Sequence, residues 1–207
     1  MAEMRVKFCG ITRAEDAAAA AAAGAWAIGM IFAESPRRLD AAQARSVAAA
    51  VPAGVLKVGV FSGQSLEEMR ELGEETGLDL YQLHDGGDEE LVEELGAERC
   101  IQAASLRDAA SVERAVGLPA RFALLDRPRQ GAIAEGAAVD RTLAAEVARR
   151  RPRVILAGGL TPENVAEAVR RVRPWAVDVS SGVERAPGVK DAAKLRAFAE
   201  AAREGAR

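Results

Sequence analysis

Ala27-Ile28-Gly29-Met30-Ile31-Phe32 is an unbroken apolar run, and its character decides the fold class. A strand with one face in water alternates apolar and polar residues, whereas a strand covered on both faces reads as continuously apolar, as in a parallel sheet flanked by helices. Ala123-Leu124-Leu125 reads the same way. The wider stretch that contains it, residues 17–33, carries no charge and is nearly long enough to span a membrane. The stretch is mostly alanine, is broken by Gly24 and Gly29, and follows a charged start rather than a basic leader, which argues against an anchor or a signal peptide. We read it as one helix, stopped at Gly24, running into one strand.

The same unit recurs outward from this point. Short runs rich in β-branched and apolar residues fall at 6–9, 26–32, 55–61, 80–84, 100–103, 122–126, 154–157 and 176–179, with helical patterns between them, roughly every 26 residues. Helix starts are marked too: Thr12-Arg13-Ala14-Glu15 and Ser65-Leu66-Glu67-Glu68 have the pattern of capping boxes, and Thr161-Pro162 offers an N-cap followed by proline. Eight βα units predict an α/β fold, a single-domain (β/α)8 TIM barrel over residues 1–207. An open doubly wound sheet is the alternative, since 207 residues is near a barrel's lower size limit.

Composition narrows the function. A net charge of −3 and a pI near 5.5 exert no pull toward nucleic acid or anionic lipid. The one basic cluster, Arg149-Arg150-Arg151-Pro152-Arg153, closes a predicted helix, where cations complement the dipole. The two cysteines, Cys9 and Cys100, have neither paired spacing nor a histidine cluster, so no disulfide framework or zinc site is indicated and a reducing cytoplasm fits.

In a barrel all C-terminal strand ends meet on one face, so residues distant in sequence can share a site. The polar or reactive residues expected there are Cys9, the Ser35-Pro36-Arg37 turn, His84, Asp126, Gly158-Gly159 and Ser180-Ser181-Gly182. Asp126, ending its strand, stands where a carboxyl group can act as acid or base. Each residue alone also has an ordinary structural reading: a buried thiol, a turn aspartate, a surface arginine, a tight turn.

In order, the motifs resemble the phosphoribosylanthranilate isomerase family of tryptophan biosynthesis. Val6-Lys7-Phe8-Cys9-Gly10-Ile11-Thr12 is similar to that family's opening, and Gly29-Met30-Ile31-Phe32 with Ser35-Pro36-Arg37 to its second strand and arginine turn. There follow Val58-Gly59-Val60-Phe61, Gln82-Leu83-His84, Leu124-Leu125-Asp126, Leu156-Ala157-Gly158-Gly159-Leu160 with Pro162-Glu163-Asn164-Val165, and Asp178-Val179-Ser180-Ser181-Gly182-Val183-Glu184. The resemblance implies an Amadori rearrangement of an anthranilate aminoaldose phosphate to the aminoketose, with Asp126 as acid and Cys9 as base. It further implies that Arg37, His84 and Asp178 face the substrate, that Arg37 pairs with the anthranilate carboxylate, and that Gly158, Gly159, Ser180, Ser181 and Gly182 hold the phosphate. Lys7 is a candidate helper to Cys9. The resemblance calls for no metal or other cofactor and for a monomer or homodimer in the cytoplasm, with a phosphorylated small molecule as partner and neither nucleic acid nor membrane.

Three positions depart from the family pattern. A glycine-rich run is usual after the sixth strand, but this chain reads Arg127-Pro128-Arg129-Gln130-Gly131; Asp85 replaces a glycine after His84 and Gln102 stands where lysine is common, from which an altered substrate rim is expected. Two alternatives stay open: a related sugar-phosphate isomerase or epimerase on the same barrel, and a ligand-binding relative that has lost turnover.

Overall fold

The computed structural model describes residues 4–84, 89–127 and 139–207. Eight parallel strands close a barrel in the order β1-β2-β3-β4-β5-β6-β7-β8. They are β1 (Arg5–Cys9), β2 (Ala27–Ile31), β3 (Leu56–Phe61), β4 (Leu80–Leu83), β5 (Cys100–Ser105), β6 (Phe122–Asp126), β7 (Val154–Leu156) and β8 (Ala176–Val179). Each expected strand is present within a residue or two of its predicted ends. The helices form the outer ring: α1 (Ala14–Ala22), α2 (Ala41–Ala49), α3 (Leu66–Thr76), α4 (Glu89–Leu95), α5 (Ala109–Val116), α6 (Arg141–Arg150), α7 (Val165–Val172) and α8 (Ala192–Gly205). Pairing of β1 with β8, Lys7 opposite Asp178, closes the ring and excludes the open sheet.

Strand alternation sorts the side chains into two cores. Val6 and Phe8 of β1 face the helices, whereas Ala27, Val58, Leu80, Ile101, Phe122, Leu124, Ile155 and Ala176 fill the barrel interior. At the N-terminal end Trp26, Phe122 and Trp175 plug the barrel; the two indoles meet edge to face at 5.0 Å, and the Arg5 guanidinium lies 4.5 Å over Trp175. Toward the other end the buried residues turn polar, with Lys7, Gln82 and Asp178. This asymmetry fixes which end carries chemistry.

Local signals held in part. Ser65 and Glu68 form the reciprocal capping box of α3, and Gly24, with φ of +82°, follows α1 as its stop. Arg149 and Arg150 lie in the last turn of α6, and Arg150 pairs with Glu113. Thr12 is not the cap of α1. Arg13 holds that position with no side-chain cap, because the Thr12 hydroxyl donates 2.5 Å to the Gly188 carbonyl across the molecule. Thr161-Pro162 lies in a turn before α7, whose N-cap is Asn164. Between β8 and α8 runs an unforeseen antiparallel hairpin, β9 (Glu184–Ala186) and β10 (Val189–Lys190). Of the three departures, Asp85 and residues 128–136 lie outside the described residues. Gln102 shares its face with Cys100, away from the barrel interior, and its Oε1 accepts from the Ala120 N–H at 3.0 Å, so it is not a rim residue.

Candidate active site

The C-terminal strand ends surround a cavity of about 310 Å³. Cys9, Arg37, His84, Asp126 and Asp178 all line it, joined by Gly158 and Gly159 after β7 and by Ser180, Ser181 and Gly182 after β8. The expected proton-transfer, substrate and phosphate residues therefore reach one space, while Lys7 lies behind its wall. Cys9 and Asp126 approach it from β1 and β6, well separated around the wall.

Cys9 ends β1 on the same inward parity as Lys7. A methyl group on Gly29 would lie 2.8 Å from Cys9 Sγ and 3.2 Å from Lys7 Nζ, so sulphur and ammonium are neighbours and glycine makes room for both. Lys7 is fully buried and donates to Asp178 Oδ1 at 2.8 Å. Burial pushes the Cys9 thiol above its ordinary value, and Asp178 adds to that; the charge of Lys7 and its hydrogen bond work against both. Burial alone would depress Lys7, but Asp178 and Cys9 together hold it raised, so it stays an ammonium ion.

Asp126 is half-buried, and its Oδ1 accepts from the adjacent Arg127 N–H at 2.7 Å. A methyl at Gly158 would stand 3.0 Å from that same oxygen. Gly158 and Gly159 both adopt left-handed backbone, with φ of +78° and +72°, which side-chain-bearing residues rarely enter. The Asn164 amide pins this turn, donating to the Gly159 carbonyl and accepting from the Thr161 N–H, both at 2.9 Å. Gly182 faces it from the other side, where any Cβ would collide with the Leu160 carbonyl. The two loops touch because residue 182 has no side chain.

Arg37 is held rather than loose. Its Nε and Nη2 form a two-pronged pair with Glu184 at 2.7 and 2.6 Å, a geometry specific to guanidinium and carboxylate. Lys190 Nζ reaches the same carboxylate at 2.8 Å and also donates to the Cys9 and Ser180 carbonyls at 2.7 and 3.1 Å. One buried ammonium thus ties the end of β1 to the loop after β8. Burial alone would raise the Glu184 carboxyl group, but its bonds to Arg37 and Lys190 bring it below the ordinary range.

Comparison with known proteins decides what this arrangement is. The family model described as N-(5′-phosphoribosyl)anthranilate (PRA) isomerase matches residues 6–201. A curated relative of that name from Pseudomonas fluorescens (strain Pf0-1) is 47% identical over 208 residues, covering 98% of this chain and all of its own. The chain belongs to the N-(5′-phosphoribosyl)anthranilate isomerase family. Among solved structures, the isomerase from Thermus thermophilus superposes with a TM-score of 0.85 at 44% identity, covering 96% of this chain and 98% of its own. An isomerase bound to reduced 1-(o-carboxyphenylamino)-1-deoxyribulose 5-phosphate matches with the same score and coverage at 36% identity. The family's reaction is an aldose–ketose isomerisation in tryptophan biosynthesis, which converts N-(5′-phosphoribosyl)anthranilate to 1-(2-carboxyphenylamino)-1-deoxyribulose 5-phosphate.

Three residues that brace the cavity wall were not assigned from sequence: Glu184, Lys190 and Asn164. Glu184 and Asn164 lie in quoted motifs and Lys190 lies beyond them, but the partners of all three are fixed only by the fold. No described helix is long and apolar enough to cross a membrane.

Proposed function

We propose that Cys9 and Asp126 are the proton-transfer pair of this isomerase. Asp126 protonates the furanose ring oxygen, breaking the C1′–O bond and giving an iminium ion. Cys9, as thiolate, takes the C2′ proton that the conjugated cation has acidified, leaving an enolamine that tautomerises to the ketose. One observation carries the reading: from strands on separate parts of the wall, these two proton carriers line one cavity. A buried thiol needs help to ionise. Lys7, adjacent to Sγ and kept charged by Asp178, supplies a fixed cation for the thiolate.

Arg37 receives the anthranilate carboxylate, with Glu184 fixing its guanidinium plane. His84 and Asp178 face the substrate, and main-chain N–H groups about Gly158-Gly159 and Ser180-Ser181-Gly182 take the phosphate, in keeping with phosphate sites after the last two strands of many barrels. The chain acts as one catalytic unit in the cytoplasm, as a monomer or homodimer; a closed barrel offers no free sheet edge that would demand a partner. The test follows anthranilate fluorescence on freshly made substrate. Positioned acid–base groups contribute about 10²- to 10⁴-fold, so Cys9→Ala and Asp126→Asn should each lower kcat by that order with Tm kept. Near-normal kcat in either variant refutes the pair.

A further inference from the structure

Gln82 is buried in the barrel interior, two residues before His84 and on the same face of β4. Its side chain makes one contact that matters chemically: Nε2 lies 2.7 Å from His84 Nε2. In this orientation of the amide its nitrogen donates, so the imidazole nitrogen it meets is the acceptor. The ring proton then belongs on Nδ1. The other end of the amide, Oε1, is buried with no hydrogen-bond partner among the described residues, and Gln82 lines the same cavity as Cys9 and Asp126. A buried, unsatisfied carbonyl is costly and is a recurrent mark of a functional position.

We infer that Gln82 is a positioning residue that fixes His84 as the Nδ1–H tautomer and presents Oε1 as an acceptor for a hydroxyl or amine donor of the substrate. The substrate-facing half rests on the reading of His84 given above; the tautomer does not. An amide suits both tasks because its donor and acceptor are held in one plane. Glutamate at 82 could only accept and would draw the imidazole proton to Nε2. Methionine keeps the length and removes both polar ends.

His84 is the sole histidine of the chain, so its ring gives one imidazole pattern in a long-range ¹H–¹⁵N spectrum of the labelled, substrate-free protein. The experiment is run well above the ordinary imidazole pKa of about 6.5, so that only tautomers are compared. Nε2 is identified as the nitrogen coupled to both carbon-bound ring protons. Its shift is expected in the unprotonated, pyridine-like range in the parent protein. It should move toward the protonated range in Gln82→Met, and fully so in Gln82→Glu. A protonated Nε2 in the parent, or a tautomer unchanged in Gln82→Met, overturns the inference. Gln82→Met, close in volume, guards against a Gln82→Glu chain that fails to fold. In the same Gln82→Met protein kcat/KM should fall about tenfold, the scale of one lost buried hydrogen bond. A reversed tautomer with kcat/KM unchanged would overturn the role of Oε1 and remove His84 from the substrate contacts, while leaving the Cys9–Asp126 pair standing.

Discussion

Replacing Lys7 with methionine tests whether the buried ammonium exists to ionise Cys9. Two unit charges about 4 Å apart, at an effective dielectric near 20, attract by about 4 kcal/mol. Asp178, 2.8 Å from Lys7 Nζ, repels a thiolate and cancels part of this. If half survives, about 2 kcal/mol remains, or about 1.5 pKa units on the thiol. Without Lys7 the attraction is lost, and Asp178→Asn in the same chain removes the opposing repulsion with it. The net result is a Cys9 value raised further by that amount. At any pH below the thiol's own value, the thiolate fraction and hence kcat/KM should drop about 30-fold. The acid-side limb of the kcat/KM profile, which climbs as the thiol ionises, should move to higher pH, and activity should recover toward parent level in alkali. Lys7→Met alone, which leaves the Asp178 carboxyl group beside the thiol, should lose at least as much as Lys7→Met/Asp178→Asn. Alkylation by iodoacetamide reads the same ionisation without catalysis. Cys100, pushed up to about 11 by burial with only a small counter-effect from Arg99, stays silent in the neutral range. A uniform loss of activity with the limb unmoved would show that Lys7 only braces the fold.

Other outcomes follow from the same contacts. Arg37→Ala should raise KM more than it lowers kcat, and it should lower Tm by leaving Glu184 with Lys190 as its remaining ionic partner; an unchanged kcat/KM excludes a substrate clamp. The depressed Glu184 carboxyl group contributes stability that is fully present above the unfolded value of about 4.3 and is lost as pH falls through the lower folded value. Glu184→Gln should therefore flatten the acid limb of Tm against pH, and a limb of the same steepness would assign acid sensitivity elsewhere. Gly182→Ala drives a methyl group into the Leu160 carbonyl and should part the two loops. Inorganic phosphate should then inhibit more weakly while the Asp126 region keeps its chemistry, and unaltered phosphate inhibition would move the anion site away from this junction.

The fold was legible because each βα unit announces itself locally. Continuous apolar runs such as 27–32 need no knowledge of their neighbours to be read as doubly covered strands. The misses arose where a local signal competes with a distant partner. Thr12 has the side chain of a helix cap, but its hydroxyl goes to Gly188, which the chain returns only 176 residues later. Thr161-Pro162 looks like a helix start, but Asn164 bonds back across the turn and delays α7 until Val165. The β9–β10 hairpin, with strands of three and two residues around Pro187-Gly188, is too short for alternation to register.

For the site, parity did what proximity in sequence could not. Cys9 and Asp126 were visible because a reactive residue closing a strand of a barrel must stand at the mouth. Gln102 was misjudged because residue type was weighed without parity: one position away from the inward-facing Ile101 and Ala103, it belongs to the other face. The Lys7–Asp178 pair shows the limit in its sharpest form. The two residues are 171 positions apart and meet only because β8 closes on β1 in a register that sets one opposite the other. A shift of one residue in that pairing would turn Asp178 out toward α8 and leave an ammonium ion buried alone beneath Cys9. Burying an unpaired charge costs several kcal/mol, so the ion pair that tunes the thiol also selects the register in which the barrel closes.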